Sequence, residues 1–378
     1  MQNGGRSRIR GPIRGRFADT PGGLWNEANL WVSGLFLIGY GGPERDCMPS
    51  TGVESAVRGK PACRDGSYVA WSSRVYNRRV LKLTRRDAGK SLLTGLTVAP
   101  LVAAATRHPL GFQVYTVRKL IPDHVREAVQ RLAAIGYREA EVIQDSNRVM
   151  LPLCKDFGIQ AVSGHFATPL VTGNYDAWKG EFPQGRPAGM TWQKAVDDAA
   201  QAGMKFMVIA YLMPAERGPL DQFRRYADQF NKAGEATRKA GMQFCYHHHA
   251  FEFGPKEGSR PIDVFLERLD PNLVKFEMDV FWVSVAGQDP VALLKQWKGR
   301  VALMHLKDKA PGLSTHYSED LSDSAFREVG FGILDFAKIV EAAREAGVQH
   351  YFVEQDQVAE DPVESLHASY RTMERLKF

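Results

Sequence analysis

Four short stretches of this chain end on side chains that bind metal ions or move protons. They are Tyr246-His247-His248-His249-Ala250-Phe251-Glu252-Phe253, Phe276-Glu277-Met278-Asp279-Val280-Phe281-Trp282, Met304-His305-Leu306-Lys307-Asp308 and Phe352-Val353-Glu354-Gln355-Asp356. Each begins as an apolar run and turns polar at its C-terminal end. If the runs are neighbouring strands in register, His247, Asp279, His305 and Glu354 meet at one rim. Mixed imidazole and carboxylate donors suit a divalent ion such as Mn²⁺, Zn²⁺, Co²⁺ or Mg²⁺. Such an ion, holding a carbonyl and its neighbouring hydroxyl, stabilises the enediolate left when a C–H proton departs. A general base must reach that carbon. Glu354 is the expected base or acid and doubles as a ligand, with Glu252, His249 and Glu141 as further candidates. Return of the proton to carbon gives isomerisation or epimerisation; loss of a hydroxyl or glycosyl group from the β position gives elimination. Around this centre His165 could bind a substrate oxygen, Lys307 could polarise a carbonyl, and Trp282 and Phe112 could stack on a sugar ring.

The elements that must position these groups alternate. Short apolar strands are expected at 111–115, 138–143, 159–163, 205–210, 243–247, 273–278, 301–305 and 351–354, with amphipathic helices between them. Val125, Val129 and Leu132 share one face of the first helix, with Pro122 expected in its opening turn; Phe223, Tyr226 and Phe230 share a face later. Connections from helix to strand carry Gly136, Gly158, Gly203, Gly241, Gly299 and Gly347, where a left-handed residue ends a helix. The sixth uses Asp270-Pro271-Asn272 instead. The long excursions, near 166–190 and 308–331, both follow a strand, and Gly330-Phe331-Gly332 reads as a tight turn in the second. Eight such units in about 270 residues predict a single (β/α)8 barrel whose strand-to-helix loops build the site. No glycine-rich phosphate fingerprint follows the first strand, which argues against a dinucleotide-binding sheet.

The 378 residues are 44% hydrophobic and 24% charged, which excludes collagen-like, coiled-coil and mostly disordered chains. The formal charge of +6 invites a nucleic-acid reading, but residues 1–79 hold 12 Lys or Arg against 6 acids and account for all of it. That segment reads as a disordered extension, or sequence ahead of the natural start, rather than a domain. Residues 80–105 resemble a twin-arginine export signal: Thr84-Arg85-Arg86-Asp87, an uncharged run broken by Gly95 and Pro100, and Ala103-Ala104-Ala105 for a signal peptidase. The run is too short for a stable membrane span. The expected mature barrel, 106–378, is slightly acidic, so no nucleic-acid partner is expected and endonuclease IV-like repair is disfavoured. The location expected is periplasmic, by the type of export signal that the paired arginines resemble. Cys154 and Cys245 read as buried apolar fillers.

Residues 110–376 resemble the sugar phosphate isomerase/epimerase family of xylose isomerase-like barrels. The likeness rests on Gly111-Phe112-Gln113-Val114-Tyr115-Thr116-Val117-Arg118 together with the four strand-end stretches. It implies a metal held by Asp279, His305 and Glu354. The epimerases of the family carry a glutamate at the end of the fifth strand, where this chain has His247, with Glu252 five residues on. The histidine-rich fifth strand is closer to the inosose dehydratase-like branch than to the tagatose 3-epimerase-like one. The primary expectation is a metal-dependent isomerase or epimerase of a sugar or keto-sugar. The alternative is a dehydratase or lyase acting on a keto-inositol or 3-keto-glycoside, and a non-catalytic sugar-binding barrel is the remaining reading. The partner is a small carbohydrate, and the sequence leaves room for a homo-oligomer. A neutral substrate is expected because no basic, glycine-rich phosphate cup is present.

Overall fold

Alternation of side chains along each strand builds a closed parallel barrel in the computed structural model, which describes residues 108–358 and 360–376. The expectations for 1–79 and 80–105 lie outside the described residues. The strands are β1 (Gly111–Gln113), β2 (Glu139–Ile143), β3 (Gln160–Phe166), β4 (Phe206–Ile209), β5 (Gln243–His247), β6 (Val274–Asp279), β7 (Val301–Leu306), the short pair β8 (Asp308–Lys309) and β9 (Phe326–Arg327), and β10 (His350–Val353). The barrel closes in the order β1-β10-β7-β6-β5-β4-β3-β2, while β8 and β9 form a separate antiparallel ribbon. Helices α1 (Val125–Ile135), α2 (Asn147–Asp156), α3 (Pro169–Thr172), α4 (Trp192–Gln201), α5 (Leu220–Lys239), α6 (Pro261–Arg268), α7 (Val280–Val285), α8 (Pro290–Gln296), α9 (Phe336–Ala346) and α10 (Pro362–Arg375) connect them. Among the described residues no helix is long and apolar enough to cross a membrane.

Two apolar clusters separate along the strands, as period two requires. Phe112, Val142, Met207, Ile209, Phe244, Tyr246, Phe276, Met278, Met304, Tyr351 and Val353 join the helices in the large outer core. Val208, Cys245, Leu303 and Phe352 belong to a smaller cluster. Each of these four lies two residues before, or level with, an inward polar group, so it plugs the barrel below the site.

The six helix-ending glycines all have positive φ, from 69° at Gly158 to 129° at Gly136. Strand ends differ from expectation by a few residues. Strand β1 stops at Gln113 because its side chain accepts from the Tyr115 amide and caps a 3-10 turn over Val114–Leu120. Strand β3 runs on to Phe166, since Ile143 pairs with His165 and Ile209 with Phe166. Pro122 precedes α1 in a separate turn rather than opening the helix.

The loop after β7 is tied to one carboxylate. Buried Asp308 accepts from the backbone amides of Lys309 (2.7 Å), Gly330 (2.9 Å), Gly332 (2.8 Å) and Leu334 (3.1 Å). Gly332 is required here, because a Cβ would fall 2.3 Å from the Lys309 carbonyl oxygen. Asp308→Ala strands several N–H donors at once, each costing about 1–3 kcal/mol when buried. Thermal melting is expected to show a Tm loss of roughly 6–12 °C; a loss below about 2 °C would show that water replaces the carboxylate.

Candidate metal and proton-transfer site

The C-terminal ends of β2, β3, β5, β6, β7 and β10 place Glu141, His165, His247, Glu277, Asp279, His305, Lys307 and Glu354 in one buried polar layer. His305 is at its centre. Its Nε2 lies 2.6 Å from Glu141 Oε2 and 3.4 Å from Glu277 Oε2, and its Nδ1 lies 2.8 Å from Glu354 Oε2. His165 Nε2 lies 2.8 Å from Glu141 Oε2 and 3.0 Å from Glu277 Oε2. Ser163 Oγ donates to the other Glu141 oxygen at 2.6 Å. His247 Nδ1 is 3.3 Å from Glu277 Oε2, and its Nε2 is 4.0 Å from Asp279 Oδ2. Asp279 also caps α7, its Oδ1 accepting from the amides of Phe281 (2.9 Å) and Trp282 (3.2 Å).

Lys307 occupies the outer edge of this layer. Its Nζ lies 2.7 Å from Glu354 Oε2, 2.8 Å from Asp356 Oδ1 and 3.0 Å from Asp279 Oδ2. Burial by itself would lower the ammonium, but Asp279, Asp356 and Glu354 outweigh it and hold it well above its ordinary value. Burial would likewise raise Glu354, yet Lys307 and His305 hold that carboxyl well below the usual range, so it is ionised. At His305 the charges of Glu277 and Glu354 likewise outweigh burial and hold the ring above its ordinary value; a bound divalent ion would take the place of that proton. His247 behaves oppositely: burial and the charge of His305 push it down to about 3, leaving it the neutral form that binds metals.

Two overlapping donor groups emerge: His165, His247, Glu277 and His305, and Asp279, His305 and Glu354, each with ligand atoms within 4.8 Å of one another. The residues fit a divalent cation. Glu277 Oε1 is buried without a hydrogen bond, which is costly for a group that could instead hold an ion. The imidazole and carboxylate mixture matches Mn²⁺, Zn²⁺ or Co²⁺ chemistry.

Other expected residues fall in different places. Glu252 stands behind the loop: its Oε1 accepts from Tyr246 Oη (2.7 Å) and its Oε2 from the His249 amide (2.9 Å). Burial pushes its carboxyl up to about 7. Tyr246 lies in the outer core, so Glu252 orients the His249 loop rather than joining the metal-binding layer. His249 itself packs on Tyr211 (5.1 Å), Trp282 (5.4 Å) and His247 (4.9 Å), and burial holds it well below its ordinary value. Trp282 borders the site, with Lys307 Nζ 5.8 Å from its ring. Phe112 is turned the other way, against Tyr137 in the outer core, and cannot stack on a ligand in the barrel mouth. That correction follows from strand parity: Gln113, not Phe112, faces inward, where its side chain meets His165 Nδ1 at 3.0 Å. Sequence reasoning passed over Glu277 and Asp356. Glu277 lies two residues before Asp279 on the same strand face, a spacing that would have revealed it.

A closed (β/α)8 barrel with histidines and carboxylates gathered at the strand ends defines a metal-competent barrel enzyme. Residues 129–372 match the model of the xylose isomerase-like TIM barrel family, and the chain belongs to that family. Among curated relatives, inosose dehydratase of Clostridium beijerinckii is 25% identical over 264 residues, covering 63% of this chain and 85% of that protein. Inosose dehydratase of Lacticaseibacillus casei is 27% identical over 154 residues, covering 38% of this chain and 51% of that protein, so the chain spans about half the length of that relative. A sugar phosphate isomerase/epimerase structure from Parabacteroides distasonis is 25% identical with a TM-score of 0.57, covering 74% of this chain and 98% of that one. The IolI protein, solved with a zinc atom bound, shares the fold at 12% identity and a TM-score of 0.51, covering 71% of this chain and 98% of its own. These relatives and neighbours carry the names of isomerase, epimerase and dehydratase enzymes.

Proposed function

We propose that this enzyme moves a proton beside the carbonyl of a neutral keto-sugar or keto-inositol, and that elimination of the β-hydroxyl or β-glycosyl group follows. The observation that carries the reading is the contact of Glu354 Oε2 with Lys307 Nζ at 2.7 Å, an ionised base beside a protonated acid in one water-poor layer. His247, Asp279, His305 and Glu354 would hold the divalent ion, whose charge stabilises an enediolate. Glu354 would then take the C–H proton at its carboxylate, and Lys307 would give one to the departing oxygen. Asp356 and Asp279 keep Lys307 charged and aimed. Support for elimination over epimerisation comes from Glu252. That carboxylate is held by Tyr246 and the His249 amide, so it is not free to serve as a second base. The inosose dehydratase relatives agree with this reading. Epimerisation is the second reading, favoured by the Parabacteroides distasonis likeness.

Incubation with Mn²⁺ in D₂O and a panel of neutral ketoses, keto-inositols and 3-keto-glycosides, followed by NMR, tests both. Deuterium beside the carbonyl with an unsaturated product supports elimination; deuterium with only a stereoisomer supports epimerisation. No exchange on any member of the panel with metal bound would sink the enediolate reading. The twin-arginine-like segment supports an extracytoplasmic setting. Changing Arg85 and Arg86 to Lys is expected to leave the protein in the cytoplasm on cell fractionation, and unchanged fractionation would refute that location.

A further inference from the structure

Strand β7 delivers His305 with a different carboxylate at each ring nitrogen. Nδ1 faces the rim, 2.8 Å from Glu354 Oε2 and 3.9 Å from Asp279 Oδ2. Nε2 faces the end of β2, 2.6 Å from Glu141 Oε2. A neutral imidazole carries one hydrogen and one lone pair on its ring nitrogens, and only the nitrogen with the lone pair binds a cation. Which nitrogen that is follows from what surrounds Glu141.

Glu141 is fully buried and both of its oxygens are engaged. Ser163 Oγ donates to Oε1 at 2.6 Å. His165 Nε2 lies 2.8 Å from Glu141 Oε2 and 3.0 Å from Glu277 Oε2. The direction of these contacts is set further back. The Gln113 side-chain oxygen accepts from the Tyr115 amide, which can only donate. Gln113 therefore turns its Nε2 towards His165 Nδ1, 3.0 Å away, and a side-chain amide nitrogen donates. His165 Nδ1 is the acceptor, and a hydrogen there would point into the Gln113 amide group. The ring's hydrogen is then on Nε2, aimed at the carboxylates. No lone pair of His165 is left for an ion, although the ring stands within reach of one.

The hydrogen bonds thus run one way, from the Tyr115 amide through Gln113 and His165 to Glu141. Glu141 already accepts from Ser163 and His165, so it accepts a third hydrogen from His305 Nε2. A carboxylate in this place behind a metal-binding imidazole fixes the ring's tautomer and strengthens it as a ligand. We propose that Glu141, aimed by Ser163 and His165, holds the hydrogen of His305 on Nε2 and leaves Nδ1 as the atom that binds the divalent ion beside Asp279 and Glu354. Glu141 is then a positioning residue, and Gln113 sets the polarity of the chain behind it. The proposal rests on the reading of Asp279, His305 and Glu354 as metal ligands.

Two measurements on the full chain test it without turnover. In Zn²⁺-loaded protein labelled with ¹⁵N-histidine, long-range proton–nitrogen correlation is expected to show hydrogen on Nε2 of both His165 and His305, with Nδ1 of His305 bound to the ion. This reading needs no variant, so it decides even if a substitution fails to fold. By calorimetry, Glu141→Gln, which keeps the side chain's shape and one acceptor oxygen, is expected to weaken Zn²⁺ and Mn²⁺ binding about 10–100-fold with unchanged stoichiometry. The visible spectrum of the variant saturated with Co²⁺ is expected to match that of the unmodified protein, because the ligands are the same. The ion on His305 Nε2, a hydrogen on His165 Nδ1, or an altered Co²⁺ spectrum, which would make Glu141 a ligand, would each overturn the proposal. If the unmodified chain binds the ions and Glu141→Gln binds them within about threefold as tightly, the positioning role fails alone. If the unmodified chain binds none of the three ions, the metal-binding reading itself fails and takes the proposal with it.

Discussion

Glu354→Gln is expected to slow entry of solvent deuterium beside the substrate carbonyl by about 10²–10⁴-fold, the usual contribution of a positioned general base. The substitution keeps the side chain's length and can still accept from Lys307 Nζ or His305 Nδ1, so the fold is expected to survive. It removes the one carboxylate in the layer that is both at the rim and held ionised by two cations, Lys307 and His305. Because Glu354 also belongs to a donor group with Asp279 and His305, metal content must be measured on the same sample. A loss of exchange with metal content preserved assigns the proton step to Glu354. Exchange within about threefold of the unmodified enzyme would move the base elsewhere, with Glu141 and His249 next in line.

Removal of metal is expected to have the other large effect, on activity and on stability together. The layer buries Glu141, Glu277, Asp279 and Glu354 against Lys307, His165 and His305. Even so, Glu277 Oε1 remains without a hydrogen bond. An ion that binds the folded chain alone adds about 2.7 kcal/mol at a concentration one hundred times its Kd. For a barrel of this size that is a Tm rise of roughly 5–10 °C over chelator-treated protein. Calorimetric melting with Mn²⁺, Zn²⁺, Co²⁺ and Mg²⁺ in turn would rank the ions. His247→Ala is expected to abolish most of the rise, since its neutral ring is a donor that water replaces poorly. An identical Tm with and without every ion would contradict a metal-binding layer.

Much of the architecture was legible before any coordinates. The alternation of apolar strands and amphipathic helices is a local property, and so is the glycine at each helix end, where positive φ excludes most other residues. The strand-end positions of His247, Asp279, His305 and Glu354 were legible for the same reason, as polarity appears where each strand leaves the apolar core. Strand parity then separates inward from outward residues, but only relative to one another. Which parity faces the barrel interior is decided by closure, and this turned Phe112 to the helices and Glu277 to the site.

Distances across the barrel were beyond local pattern altogether. Glu141 and His305 are 164 positions apart in sequence and 2.6 Å apart in space. Glu252, five residues from His247, is withdrawn from the layer by a hydrogen bond to the outward-facing Tyr246. The sequence alone determined the barrel, its turns and the chemical types delivered to one rim, because those depend on neighbours along the chain. Only the tertiary structure decided which carboxylates share a proton layer, which one is tied away, and where Lys307 rests, because those depend on closing eight strands into a ring whose opposite sides meet at hydrogen-bond distance.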